Sequence, residues 1–247
     1  MRKPGTTYEY AYEMSTFDRV FVWSGGALFA LALAACAYAY LIVWSTPVTS
    51  SVAWTPLTSL PGAALNAALF GVFALHHSLF ARQSIKHHIA RIVPDRLVRS
   101  FYVWTASLLL LVVLACWQPI AGEVYGVTGW RAVAHAAVQV GGLWLIARSV
   151  ATIDPLELAG IKPTSGRDSL QITGPYRWVR HPLYLGWLLA VFGAAHMTAD
   201  RLTFAVITTA YLCVAIPWEE RSLLRMFGEP YARYQDTVRW RIIPYLY

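Results

Sequence analysis

GPYRWVRHPLYLG, residues 174–186, is where a polar connection turns into an apolar run, and its reading decides the fold. Two arginines, a histidine, two tyrosines and two prolines stand directly against the apolar residues that begin at Leu183. Gly174-Pro175 is turn chemistry, because proline presets φ for a tight bend and glycine relaxes the steric limits beside it. Pro182 suits the first helical position, where its missing N–H costs nothing. His181 then caps a helix that enters the membrane, among free backbone N–H groups at the positive end of the helix dipole. Such a helix mouth suits an anionic or strongly polar ligand. The same residues also suit an interfacial anchor, with aromatics and arginines at headgroup level. This stretch alone leaves both readings open.

Working outward, the chain is 57% hydrophobic and only 13% charged, where soluble domains carry about a quarter charged residues, so the solvent is lipid. Six uncharged stretches stand out, at about 21–45, 62–81, 101–122, 132–153 (with a lone Arg148), 183–199 and 202–218. A span needs roughly 20 residues, and about 17 as a minimum. The last two are short, so they form a tight hairpin around Asp200-Arg201. In lipid the backbone must satisfy itself, which makes each stretch a helix. The expected fold is an all-α, multi-pass membrane protein of about six transmembrane helices, one membrane domain over 1–247, closed by a C-terminal hairpin and a C-terminal amphipathic helix. The first apolar run is about 25 residues long, too long for a signal-peptide core, and reads as a retained span.

The net charge of +7 is dispersed between apolar runs with no polybasic block, which argues against nucleic acid and for membrane orientation. Of the 20 Lys and Arg residues, only Arg131 and Arg201 fall on the second side of a six-span layout. The positive-inside rule then puts both termini and the 148–182 connection in the cytoplasm. Cys36, Cys116 and Cys213 lie far apart inside apolar runs and read as small hydrophobes; no Cys or His spacing marks a metal site.

Three further polar features remain. His76-His77-Ser78 sits near the end of the second stretch; adjacent histidines point about 100° apart on a helix, poor for joint ligation and ordinary for helix–helix hydrogen bonds. Residues 159–173, AGIKPTSGRDSLQIT, form a polar connection long enough to fold over a ligand. Glu219 and Glu220 stand together at the membrane edge, and their i+3 and i+4 neighbours Ser222, Leu223 and Leu224 offer no cation. The hairpin brings them to Arg177, Arg180 and His181. Residues 222–235 then read as an amphipathic helix with Gly228 as a C-cap, and 238–247 as an interfacial anchor.

GPYRWVRHPLYLGW followed by EERSLLRMFGEPYARY resembles the isoprenylcysteine carboxyl methyltransferase superfamily of integral-membrane methyltransferases. FALHHSLFAR, PDRLVRSFYVW and the pair Trp117 and Pro119 are similar to its bacterial methanethiol S-methyltransferase branch, extending the resemblance over about residues 70–244. It implies S-adenosylmethionine as donor, in a membrane-embedded pocket open to the cytoplasm; the chain has no GxGxxG to suggest a Rossmann domain. The implied cofactor shell is Ser169, Leu170, Gln171, Tyr176, His181, Pro182, Leu183, Tyr184 and Glu219. The implied catalytic set is Arg180, His181, Tyr184 and Glu220, with Arg180 and Glu220 orienting the shell. The implied partners are a small or lipophilic methyl acceptor and the bilayer, and the implied location a bacterial inner membrane.

Two departures bear on the acceptor. Ala215 stands where the prenylcysteine enzymes carry an arginine, and residues 154–160 differ from the HFxLFGLRQ-like stretch of the thiol enzymes. A carboxyl methyltransferase of prenylated cysteine is the alternative within the class. The ending RIIPYLY also resembles NADPH-dependent sterol reductases, but Leu183 and Trp187 stand where those carry asparagine and an acidic residue. The chemistry is compatible with the residues. A sulfonium methyl is already activated, so the enzyme must align donor and nucleophile and exclude water. Glu219 can bind the donor's ammonium or ribose hydroxyls, and Arg180 with the helix mouth its carboxylate. A thiol acceptor must ionise, and His181 and Tyr184 are base candidates by position.

Overall fold

The computed structural model describes residues 14–49, 61–80, 85, 88–162 and 170–247. Ser169 lies outside the described residues with the rest of 163–169, the middle of the polar connection. Five helices are long and apolar enough to cross a bilayer: α1 (Thr16–Leu41), α2 (Gly62–Phe80), α3 (Asp95–Ala115), α4 (Gly129–Ile153) and, after a shorter helix α5 (Pro182–Phe192), α6 (Ala199–Phe227). A last helix, α7 (Glu229–Thr237), follows directly. The protein is a multi-pass integral membrane protein.

The fifth apolar stretch departs from expectation. A continuous helix over 183–199 was the sequence reading, but α5 has 11 residues, about 16 Å at 1.5 Å per residue against a hydrocarbon core of about 30 Å. Beyond Phe192 the chain continues through the non-helical residues 193–198, worth up to about 20 Å when extended. Their end is a short strand, β2 (His196–Thr198), which pairs antiparallel with β1 (Glu123–Gly126) from the α3–α4 connection. Backbone outside a helix is tolerated at this depth only if its polar groups find partners in the protein. They do. The last carbonyls of α5 are satisfied first: Gln139 Nε2 donates to that of Ala190 at 2.9 Å and the Tyr40 hydroxyl to that of Val191. His135 Nδ1 and the Tyr125 hydroxyl both donate to Ala194 O at 3.1 Å, and Val127 N–H to Ala195 O at 2.9 Å. His135 thus serves the backbone of the crossing.

At this end α6 begins with two buried charges. Arg201 donates to Tyr40 O at 2.9 Å, Leu41 O at 2.9 Å and His196 O at 2.6 Å, so a guanidinium caps the carbonyl end of α1. Asp200, in the first turn of α6, accepts from Trp117 Nε1 at 2.7 Å and Ile120 N at 2.9 Å. Above them Tyr40, Trp44, Trp117 and Phe204 form the aromatic core.

α5 is fixed laterally by close approach to α4. A Cβ on Gly142 would lie 2.6 Å from Ala190 N and Gly186 O, and one on Gly186 would lie 2.8 Å from Gly142 O. Only glycine fits this crossing, the small-residue contact typical of membrane helices. At the opposite end, Ser15 and Asp18 form a capping box at the start of α1, and buried Asp18 receives Arg96 of α3 at 3.0 and 3.2 Å. From Ala199 to Glu220, α6 climbs about 31 Å, so its acidic pair emerges beside the start of α5.

Candidate active site

The turn at 174–177 is a short 3-10 helix opened by Gly174 at φ +58°, a value that favours glycine. It delivers Arg180 and His181 to the first turn of α5, where Pro182 occupies the N-terminal position as expected. The His181 N–H is not free. It donates to Arg241 O at 2.8 Å, and the Arg180 N–H donates to Trp240 O at 2.9 Å. The C-terminal segment therefore runs alongside the helix mouth and consumes donors that the sequence left available for a ligand.

Arg180 is buried and saturated. Its Nε donates to Glu220 Oε1 at 2.7 Å, and Nη1 donates to Val238 O at 2.7 Å and Arg239 O at 2.8 Å. Glu220, 4% exposed, also meets His181 Nε2 at 3.3 Å through Oε1, while its Oε2 accepts from Arg241 Nε at 3.0 Å. Burial alone would lower the Arg241 guanidinium, but the Glu220 carboxylate and the Tyr247 hydroxyl beside it together more than offset this and raise it above its ordinary range. A buried carboxylate held by two guanidiniums is costly to desolvate and costlier to break, so this triad sets geometry.

Glu219 is different. Its side chain is 42% exposed; Oε2 accepts from the Tyr184 hydroxyl at 2.7 Å and lies 3.7 Å from His181 Nδ1. The His181 and Tyr184 rings stack with centroids 5.3 Å apart and planes 1° from parallel. One carboxylate of the pair is thus locked inside the protein and the other is presented outward on a rigid stacked base. Tyr176 belongs to the same neighbourhood, its carbonyl accepting from the Tyr234 hydroxyl at 2.7 Å. Leu170 packs on the cluster of Tyr231, Tyr234 and Val238. Burial raises the Tyr234 hydroxyl to about 12, so it stays a donor at neutral pH. Among the described residues the buried Tyr231 hydroxyl has no partner.

Beneath the site lies an apolar cavity of about 300 Å³ between the helices, with Leu183, Tyr184 and Trp187 of α5 on one wall and Cys36, Phe73 and His77 on others. Tyr184 therefore touches both compartments: its hydroxyl holds Glu219, and its ring borders the cavity.

Of the residues singled out from sequence, Arg180, His181, Tyr184, Glu219 and Glu220 meet directly. Pro182 is buried at the helix start, Leu183 faces the cavity, and Leu170 and Tyr176 flank the cluster formed by α7. Gln171 follows Leu170 at the end of the connection, half-buried. Arg177 does not join the carboxylates; it borders a shallow hollow with Trp144 and Arg148. Arg241 and Gln235 were missed, the latter 3.5 Å from Glu220 Oε2. The signal for Arg241 was an arginine inside a segment that otherwise reads as an apolar anchor, opposite two carboxylates short of cations. Among the described residues there is no cluster of His, Cys, Asp and Glu that could hold a metal.

The phospholipid methyltransferase family matches residues 130–230, a block running from the start of α4 into α7 and holding both polar clusters. Methanethiol S-methyltransferase 1 of Bradyrhizobium diazoefficiens is 36% identical over 183 residues, 70% of this chain and 64%, under two thirds, of that relative's length. Methanethiol S-methyltransferase 2 of the same organism is 37% identical over 212 residues, 81% of each chain. The methanethiol S-methyltransferase of Mycobacterium tuberculosis is 35% identical over 186 residues, 70% of this chain and 75% of its own. The family match and the relatives together mark a membrane methyltransferase. Within that class, the chain belongs to the phospholipid methyltransferase and isoprenylcysteine methyltransferase-like family, with methanethiol S-methyltransferases among its relatives.

Proposed function

We propose that this protein transfers a methyl group from S-adenosylmethionine to a small or apolar thiol at the junction of α5 and α6. The observation that carries the reading is the half-exposed Glu219 carboxylate, held by Tyr184 directly above an apolar cavity. The donor set fits such a cofactor: an open anion for its ammonium or ribose hydroxyls, cations one layer behind, and an apolar space for the reacting end. Bound there, S-adenosylmethionine would supply an activated methyl on a sulfonium.

The chain's own residues do the rest. Arg180, Glu220 and Arg241 hold His181 and the start of α5 in register, and His181 stacks on Tyr184 so that its hydroxyl keeps Glu219 turned outward. Leu170, Gln171 and Tyr176 would close the site from the side of the connection, with Pro182 and Leu183 as its floor; Ser169 is a cofactor contact that the resemblance alone implies. The aromatic and aliphatic walls exclude water, which favours alignment of a thiolate with the methyl over hydrolysis. As one membrane-embedded unit, the protein would sit in a bacterial inner membrane with both termini and the site on the cytoplasmic side, as its charge distribution favours.

The test is binding. Purified protein in detergent is expected to bind S-adenosylmethionine and its demethylated product, and Glu219→Ala or His181→Ala to abolish this. Binding of NADPH in place of both would make it a reductase. Labelled methyl transfer to farnesylcysteine, but to no simple thiol, would make it a carboxyl methyltransferase.

A further inference from the structure

His77 of α2 lines the apolar cavity together with Leu183, Tyr184 and Trp187 of α5, and its imidazole brings a hydrogen-bonding edge to that lining. Its Nδ1 lies 2.6 Å from the Tyr102 hydroxyl of α3, and its ring sits among Phe73, Tyr102 and Tyr211, with centroids 5.8, 5.7 and 6.4 Å away. Among the described residues its Nε2 has no hydrogen-bond partner. His76 packs tilted against Phe80 at 4.1 Å and lies nearly parallel to the Tyr102 ring at 5.8 Å. The polar groups around His77 are Tyr102 on α3, Tyr211 on α6, bonded to Ser78 at 3.2 Å, Tyr184 on α5 and His76 on its own helix. No carboxylate or cation of the described residues pairs with it. In the tautomer in which Nδ1 donates to the Tyr102 hydroxyl, Nε2 is a lone-pair acceptor at the edge of this apolar, partly open cavity.

The chamber's size is the second observation. At about 30 Å³ per water in the liquid, 300 Å³ holds roughly ten water-sized units, whereas methanethiol has two non-hydrogen atoms. Pockets for drug-sized ligands begin at about this volume.

We propose that the chamber takes the body of an alkyl or aryl thiol larger than methanethiol and that His77 Nε2 accepts its proton. This rests on the reading of the site as a thiol methyltransferase. In the step, the S–H bond breaks and its proton passes to Nε2. The sulfur's electron pair forms the new bond to the methyl carbon, and the sulfonium–methyl bond breaks with its pair staying on the departing thioether. The imidazolium then returns the proton to water. Tyr102 is a positioning residue that fixes the tautomer and ring orientation.

The experiment uses the full-length protein in detergent or nanodiscs. Labelled methyl transfer is followed for methanethiol, butanethiol, hexanethiol and benzenethiol from pH 6 to 9, in wild type, His77→Gln, Tyr102→Phe and Ala37→Phe. Affinity for the demethylated product of S-adenosylmethionine is measured in parallel and reports an intact fold. In wild type, kcat/KM is expected to rise by up to about fourfold per methylene as the alkyl chain fills the chamber. Ala37→Phe, on the cavity wall, is expected to erase that rise. His77→Gln is expected to lose on the order of a hundredfold with hexanethiol at pH 7, at unchanged product affinity. The loss shrinks toward pH 9 and falls below about tenfold with benzenethiol, whose thiol ionises without help. Tyr102→Phe should show the same pattern, smaller. A His77→Gln enzyme as fast as wild type, or a loss equal for hexanethiol and benzenethiol, overturns the proton-acceptor role. Rates flat across the alkyl series overturn the chamber assignment. A wild type that binds no demethylated product overturns the underlying methyltransferase reading instead.

Discussion

The two ends of α6 each carry an adjacent pair of charged residues, and the pairs behave in opposite ways. At the start, Asp200 and Arg201 are both buried, and their side chains hydrogen-bond to backbone groups and an indole: three carbonyls for Arg201, which also lies over the Tyr40 ring, and a backbone N–H and Trp117 for Asp200. At the other end Glu220 is equally buried and held by two arginines, while its neighbour Glu219 leaves 42% of its side chain open. A charge in a membrane protein is costly wherever it sits, so both pairs must have a use. The first ties α1, β2 and the α3–α4 connection to one helix. The second is divided in exposure: one carboxylate is locked into the structure, and the other is open, the one we propose for a ligand. Exposure of a single member, on a rigid base, is what separates a site from a lock.

Breaking the buried half should do most damage. Arg180→Ala takes one of its two guanidiniums from buried Glu220 and the donor from two carbonyls, and is expected to cost about 3–5 kcal/mol of stability, read as loss of the cooperative thermal transition in detergent. Arg201→Ala leaves the carbonyls of Tyr40, Leu41 and His196 without their donor; a loss of about 3 kcal/mol is expected. The folded fraction should still bind the donor, so weakened binding per folded molecule would show that the two ends are coupled. Glu219→Gln keeps the shape and removes the charge. Melting should shift by less than about 1 kcal/mol while donor affinity falls about 10- to 100-fold, as for the loss of a charged hydrogen bond. The reverse result would make Glu219 a structural residue like its neighbour. Smallest is Tyr184→Phe, which frees Glu219 from one donor: about 1 kcal/mol in donor binding, with melting little changed.

Much of this was legible in the chain. Apolar length predicts the five long helices because lipid permits few alternatives to a self-satisfied backbone. The adjacent carboxylates demanded cations from elsewhere, and the spacing of the apolar runs indicated Arg180 and His181 as the source. Composition and pattern could not show that the fifth stretch would stop being helical at Phe192. That depends on donors from Tyr40, Tyr125, His135 and Gln139, whose positions are set by other helices. Nor could they show that the C-terminal segment would occupy the N–H groups of Arg180 and His181, or that Arg177 would turn away.

By itself the sequence determined the medium, the helices and the list of polar residues that could act together, because these follow from local composition and spacing. Only the tertiary structure decided which carboxylate is sealed and which is open, and that His77 shares a cavity with Tyr184. Those outcomes depend on contacts between residues 35 to more than 100 positions apart. No local pattern encodes them; the packing of six helices against one another does.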